Sequence, residues 1–185
     1  MKTIGHHTCK RDGGKAYVEL NSPFFSSKSS RGKTPFLGSG YYFWDNNLGQ
    51  AKAWGKINYS NKYFIVQSEL EFTSNQMLDL VGNRSHMIYF LDLYRKFSSY
   101  YDDGNKWVIG EFIELLKKLN SKPEYKGIFD FEASRAIDLH QQHNSKNITF
   151  SEEMKNYTNL NPCLVICLYN KKNIILRSEI LISQN

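Results

Sequence analysis

The stretch Gly38-Ser39-Gly40-Tyr41-Tyr42-Phe43-Trp44-Asp45, continued by Ala51-Lys52-Ala53-Trp54, constrains the fold of this chain more than any other. Glycine lacks a Cβ, so the backbone can turn sharply at Gly38 and Gly40 and a ligand can approach it closely. The aromatics that follow can offer flat faces to a planar ring. Leu48, Ala51 and Trp54 then recur at helical spacing, and Asp45 is placed as the N-cap of that helix. Taken alone, the stretch is a turn, a strand and a helix, and burial in a core explains its aromatics as well as a ligand does.

The rest of the chain narrows the setting. Its 185 residues suit one domain with a real core, residues 1–185. The net charge of +6 suits a polyanionic partner such as a nucleic acid. The charge is spread along the sequence, however, and a general solvation habit accounts for it equally well. Cys9, Cys163 and Cys167 do not form a disulfide framework, and a reducing compartment fits them. His140 and His143 form an HxxH pair with no cysteine nearby and read as surface residues rather than metal ligands. No apolar run approaches the ~20 residues that span a bilayer, and no signal-peptide core is visible, so a cytoplasmic protein without a membrane partner is the expectation.

Along the chain, Thr3–Cys9 reads as a first strand and Asp12-Gly13-Gly14 as a turn. Ala16–Leu20 alternates as a second strand would, and residues 21–35 form a Ser-, Lys- and Pro-rich loop. Lys62–Phe72 has strand residues, and Met77–Val81 is a short apolar patch. Ser85–Phe97 and Lys106–Leu119 read as helices, the second amphipathic with Val108, Phe112, Leu115, Leu116 and Leu119 on one face. Gly127–Phe131 reads as a short strand. Residues 140–161 form a polar loop with a helical turn near Glu152. Cys163–Tyr169 and Ile174–Leu176, parted by Asn170-Lys171-Lys172-Asn173, carry a hairpin signature, which Glu179–Ile182 extends. Strands at both ends and helices between them predict an α+β domain with a mostly antiparallel sheet.

The order of these features resembles the ADP-ribosyltransferase fold, in the branch of diphtheria toxin and the poly(ADP-ribose) polymerases and of bacterial toxin type. The resemblance runs from Thr3 to Leu176. His6-His7-Thr8 is similar to the family's Tyr-His-Gly-Thr, with His7 where glycine usually stands. Gly38-Ser39-Gly40-Tyr41-Tyr42-Phe43 is similar to its Gly-x-Gly-x-Tyr-Phe, and Leu164–Asn170 resembles its late strand pair. The resemblance implies a split sheet and NAD⁺ as co-substrate. It places His6 and Thr8 on the ribose side, Gly40 at the carboxamide and Tyr42 against the nicotinamide. Trp54 stands one position after the place of a second stacking tyrosine. The chain departs from the family at its catalytic glutamate: Leu160-Asn161-Pro162-Cys163-Leu164-Val165 holds no carboxylate.

Glu132, in the cluster Asp130-Phe131-Glu132-Ala133-Ser134-Arg135, is the replacement this reading favours, with Asp138, Glu69 and Glu71 as the others. An ordinary salt bridge from Glu132 to Arg135 is the competing account. Arg31 and Lys33 can meet pyrophosphate or a polyanionic acceptor, or simply face solvent. The implied function is transfer of ADP-ribose from NAD⁺ to a macromolecule, nucleic acid being favoured over protein, by a toxin restrained by an antitoxin or serving phage defence. A catalytically inactive NAD⁺- or ADP-ribose-binding module of the same fold, an NAD⁺-dependent RNA 2′-phosphate-removing enzyme and a basic nucleic-acid-binding protein are the alternatives.

Overall fold

The computed structural model of the chain describes residues 1–29, 32–99, 107–138, 147–149 and 157–182. Its spine is β1 (Lys2–Lys10), buried from Gly5 to Cys9. Along its whole length β1 lies antiparallel to β3 (Tyr63–Glu71), from Lys2 opposite Glu71 to Lys10 opposite Tyr63. On its other side it meets β2 (Tyr41–Asp45) at only two pairs, Gly5↔Asp45 and His6↔Trp44. The sheet order is β4-β5-β8-β2-β1-β3-β9, with β4 Met77–Asp79, β5 Ala133–Ile137, β8 Leu164–Leu168 and β9 Ile174–Ile182. The sheet is therefore two half-sheets, β4-β5-β8-β2 and β1-β3-β9, joined at those two pairs. A short separate ladder joins β6 (Asn147–Thr149) to β7 (Tyr157–Asn159).

Strand alternation distributes the apolar residues over both faces. Phe43 packs with Leu70, Ile166 and Leu168, while its neighbour Trp44 packs with Ile65, Val165 and Cys167. The second face is covered by α2 (Leu48–Tyr59), α3 (Arg84–Ser98) and α4 (Ile109–Asn120). Phe112 of α4 is their hub, with Phe90 and Tyr94 of α3 edge-on at 5.4 and 5.3 Å. At the joint, a Cβ on Gly5 would lie 2.7 Å from Leu70 Cδ1 and 2.8 Å from Phe43 Cδ1. Only glycine lets the two half-sheets close over β1 there. No helix among the described residues is long and apolar enough to cross a membrane.

The class is α+β as expected, but the sheet is mixed rather than mostly antiparallel. β4 runs parallel to β5, because α3 and α4 intervene and return the chain in the same direction. Four local readings also change. Residues 16–20 lie in helix α1 (Gly14–Asn21), which buries Val18 and carries a Lys15–Glu19 pair at helical spacing. Five alternating residues fit either period, and a helix with one buried residue needs no more. The strand expected at Gly127–Phe131 is a turn, because Asn120 Oδ1 accepts from the N–H groups of Gly127 and Phe129; the strand begins at Ala133. β8 and β9 do not pair as a hairpin. Asn173 donates from Nδ2 to the Glu71 carbonyl and accepts the Glu71 N–H, drawing the chain across to β3. The cap of α2 is Asn47, whose side chain accepts from Gln50 N. His140, His143 and Glu152 lie outside the described residues.

Asp45 has a different task. Its Oδ2 accepts from Arg135 Nε at 2.7 Å, its Oδ1 accepts from the Thr3 hydroxyl, and Arg135 Nη1 reaches Asp79 at 3.5 Å. This network links β1, β2, β4 and β5 across the joint, with Asp45 almost wholly buried. Removing one partner of a buried ion pair leaves the other charge uncompensated. Arg135→Met is therefore expected to lower the unfolding free energy by roughly 3–5 kcal/mol, measured by urea denaturation; a change below about 1 kcal/mol, the level of an exposed pair, would show the network to be solvated.

Candidate functional site

Beyond His6, β1 and β2 part. Continuing their register would set Thr8 opposite Tyr42, but no such pair forms. The Tyr42 carbonyl instead accepts a hydrogen bond from His7 Nδ1 at 2.8 Å. His7 Nε2 in turn accepts from the backbone N–H of Phe24 at 3.1 Å. An imidazole that accepts at Nε2 and donates at Nδ1 is neutral with its proton on Nδ1. Burial pulls its pKa down to about 4, outweighing the opposite effect of the bond to Tyr42. His7 thus wedges the strands apart and ties the loop after α1 to the opening.

A cavity of about 570 Å³ occupies this fork. That is within the ~300–1,000 Å³ of small-molecule sites. Consecutive residues of both strands line it, His7 to Lys10 of β1 and Tyr42 to Trp44 of β2. Side chains of consecutive strand residues point to opposite faces, so a cavity touching all of them lies against the strand edges. Trp54 and Tyr59 of α2, Tyr17 of α1 and Phe24, Phe25 and Phe36 of the intervening loop complete an aromatic wall. Asp12 and Asp138 bring carboxylates and Lys10 an amine.

Of the residues singled out in the sequence, Thr8, Tyr42, Trp54 and Asp138 line this cavity. Thr8 Oγ1 donates to the Ala51 carbonyl at 2.9 Å and fixes β1 to α2. Tyr42 donates its hydroxyl to Gly38 O at 2.6 Å and accepts from Leu37 N at 2.7 Å; burial holds the phenol well above its ordinary pKa. The Trp54 ring lies 5.8 Å from that of Trp44, tilted 55°.

The other candidates lie elsewhere. His6 is buried on β1 with Nε2 donating to Gln67 Oε1 at 3.2 Å, and burial lowers its pKa. Gly40 is pressed against β8, where a Cβ would be 2.5 Å from both Cys167 Sγ and Leu168 O. Its N–H and C=O are both bonded to Ser26. Glu132 accepts from Gln76 Nε2 at 3.1 Å and pairs with Lys172 at 3.5 Å, not with Arg135. It precedes β5 whereas Asp138 follows it, so six residues at about 3.3 Å each separate them by roughly 20 Å. Glu69 and Glu71 are exposed on β3, Glu71 pairing with Lys2. Lys33 is exposed and Arg31 lies outside the described residues. His7, Lys10 and Asp12 belong to the cavity and were not singled out; the loss of the ladder after His6 has no signature in residue type.

Comparison of the chain with family models, curated proteins and solved structures finds no match. The site therefore rests on its own geometry.

The His7 wedge has a pH signature. The folded chain holds His7 neutral, with its pKa near 4, against 6.5 for the free side chain. Its contribution is complete above pH 6.5 and is lost as pH falls through the window to 4, because the unfolded chain then binds a proton that the folded one does not. The loss from His7 is on the order of 3 kcal/mol. Urea titrations across this window should show a steeper decline for the wild type than for His7→Gln, which keeps a donor and an acceptor but cannot titrate. Equal slopes in the two proteins would mean that His7 is not held neutral.

Proposed function

We propose that this chain is an NAD⁺-dependent ADP-ribosyltransferase acting on a macromolecular acceptor, nucleic acid in preference to protein. The observation that carries this reading is the aromatic cavity at the fork of β1 and β2, lined by Thr8, Tyr42, Trp54 and Asp138. Three of these, Thr8, Tyr42 and Trp54, are the positions that the resemblance assigns to NAD⁺, and Asp138 is a carboxylate beside them. The fold-level part of the reading, a split sheet, draws support from the short joint between β1 and β2.

The residues present fit a bent dinucleotide. Tyr42 and Trp54 are the lining rings on which a planar heterocycle would stack in this reading. Gly40 has both its backbone groups committed to Ser26, so hydrogen bonds to a carboxamide fall in this reading to the β1 edge at Thr8, where the ladder lacks its rung. In the reaction the C1′–N bond of the nicotinamide ribose breaks and its electron pair leaves with neutral nicotinamide. The acceptor nucleophile forms the new bond to C1′ and gives up its proton. The Asp138 carboxylate stabilises the positive charge that builds on the ribose and receives that proton. Lys10 at the cavity and the surplus of basic residues suit phosphates of the co-substrate or of a nucleic-acid acceptor. A cytoplasmic toxin of a toxin–antitoxin or phage-defence system is the setting this activity implies.

The test is incorporation of labelled ADP-ribose from NAD⁺ into RNA, DNA and protein of a cell lysate by wild type, Asp138→Asn and Glu132→Gln. Label concentrated in one fraction, reduced about 100-fold or more by Asp138→Asn and within a few-fold of wild type for Glu132→Gln, is the expected result. The reverse pattern would return the carboxylate role to Glu132. NAD⁺ binding without transfer would identify a binding module, and absence of NAD⁺ binding would remove the reading.

A further inference from the structure

The rings that line the fork cavity are of two kinds. Tyr42 and Trp54 pack against the core. Tyr17, Phe25 and Phe36 also line the cavity, yet leave 50%, 53% and 39% of their surface to solvent. Large apolar residues exposed singly need no explanation, but a group of them at one opening marks a binding surface. These rings are also held in place. Tyr17 stacks on Phe24 at 5.9 Å with 19° between the planes. It also lies over Gly13, where a Cβ would come within 2.7 Å of its ring. Phe25 meets Tyr41 edge-to-face at 5.2 Å. A ring fixed by its neighbours and half open to solvent offers a stacking face at little cost in entropy.

Lysines stand beside these rings. Lys171 Nζ lies 5.0 Å over the Tyr41 ring, and its charge acts on His7 of the cavity. Lys10 lines the cavity itself. Lys28 and Lys33 are exposed at a turn closed by hydrogen bonds from Ser29 N to Lys33 O at 2.9 Å and from Lys33 N to Ser29 Oγ at 3.1 Å. The segment that carries this turn leaves the cavity wall at Ser26 and returns to it at Pro35, so each of the two lysines stands two residues from the wall. On the acidic side are Asp12 and Asp138 of the cavity and Glu19, the last paired with Lys15. The balance among these groups is positive.

Half-exposed rings interleaved with lysines match a strand that alternates flat bases with phosphates. A duplex does not fit them, because its base faces are covered by its own stacking and only edges and phosphates are offered. We propose that the mouth of the fork cavity is a platform for an unpaired nucleic-acid strand, with bases stacking on Tyr17 and Phe25 and phosphates meeting Lys10, Lys33 and Lys171. Every base has a π face, so the platform is tolerant of sequence. That this strand is also the acceptor rests on the transferase reading above; the platform itself does not.

Fluorescence anisotropy of a labelled mixed-sequence strand of about twelve nucleotides, as DNA and as RNA and without NAD⁺, reads the platform directly. The unpaired strand should bind about tenfold or more tighter than the same sequence as a duplex. Tyr17→Leu and Phe25→Leu keep an apolar side chain and lose the stacking face, and each should weaken strand binding about fivefold or more. Lys171→Gln should lower the slope of log affinity against log salt by about 0.7. An unchanged urea midpoint for each variant shows that its fold is intact. Equal affinity for strand and duplex, or ring variants that bind as wild type does, would reduce the surface to charge alone and overturn the proposal. Binding of neither form would overturn it as well and leave the rings to a protein partner. Ring-dependent strand binding without NAD⁺ binding or transfer would support the platform and remove the transferase reading. Labelling of nucleic acid by a protein with no ring-dependent strand binding would do the opposite.

Discussion

The interruption of one ladder governs the molecule. Had β1 and β2 paired along their length, as β1 and β3 do, no cavity could open between them. The ladder is held at Gly5↔Asp45 and His6↔Trp44 and stops at the next step, where the His7 side chain takes the Tyr42 carbonyl that a rung to Thr8 would have used. A buried carbonyl left without a donor costs free energy comparable to a lost hydrogen bond. Substituting a side-chain donor for a backbone donor allows the strands to diverge without that cost. On the far side of the joint, Asp45 with Arg135, Asp79 and Thr3 holds the half-sheets together, so the opening has a fixed end and a free end.

The Leu37–Gly40 turn joins the cavity residues Phe36 and Tyr42 and is itself held from behind. Glu114 Oε1 accepts from Ser39 N at 2.6 Å and from Lys117 Nζ at 3.0 Å. The Tyr42 hydroxyl bridges Leu37 N and Gly38 O, and the Tyr169 hydroxyl, bonded to Ser134, reaches the Leu37 carbonyl. Lys117 also lies 4.3 Å over the Tyr169 ring, so its charge is held against an aromatic face. These residues come from α4, β2, β5 and the position just after β8, which makes the turn rigid despite its two glycines. A turn whose polar groups are already satisfied presents Tyr42 in one orientation, and a binding slot gains from such preorganisation.

Long periodic segments were legible in the sequence because their burial is one-sided and sustained. α4, with Phe112, Ile113 and Leu116 buried, is of this kind. Short segments were not, because five residues satisfy either a strand or a helix, as at Ala16–Leu20. Partner choice was not legible either. Asn170-Lys171-Lys172-Asn173 has the composition of a tight hairpin turn, yet Asn173 bonds to Glu71 and the following strand joins the other half-sheet. Turn residues report that the chain bends; the neighbour it bends toward is decided by contacts more than a hundred residues away.

The site shows the same division between motif and register. The order of residue types in His6-His7-Thr8 assigns the ligand-side role to the first histidine, whereas adjacent residues of a strand face opposite ways and only the point of strand divergence decides which of them borders the opening. That point depends on β2, some thirty-five residues further on, so the residue pattern of β1 alone could not select His7. The carboxylate follows a similar logic. Moving a predicted strand from Gly127–Phe131 to Ala133–Ile137 moves its leading carboxylate, Glu132, to the end near Gln76 and Lys172, and brings the residue after the strand, Asp138, to the cavity. A displacement of six residues is small as a boundary error but carries a charged group from one end of a strand to the other. Residue types therefore name the chemistry available to this chain, and the register of a few strands decides which copies of it meet.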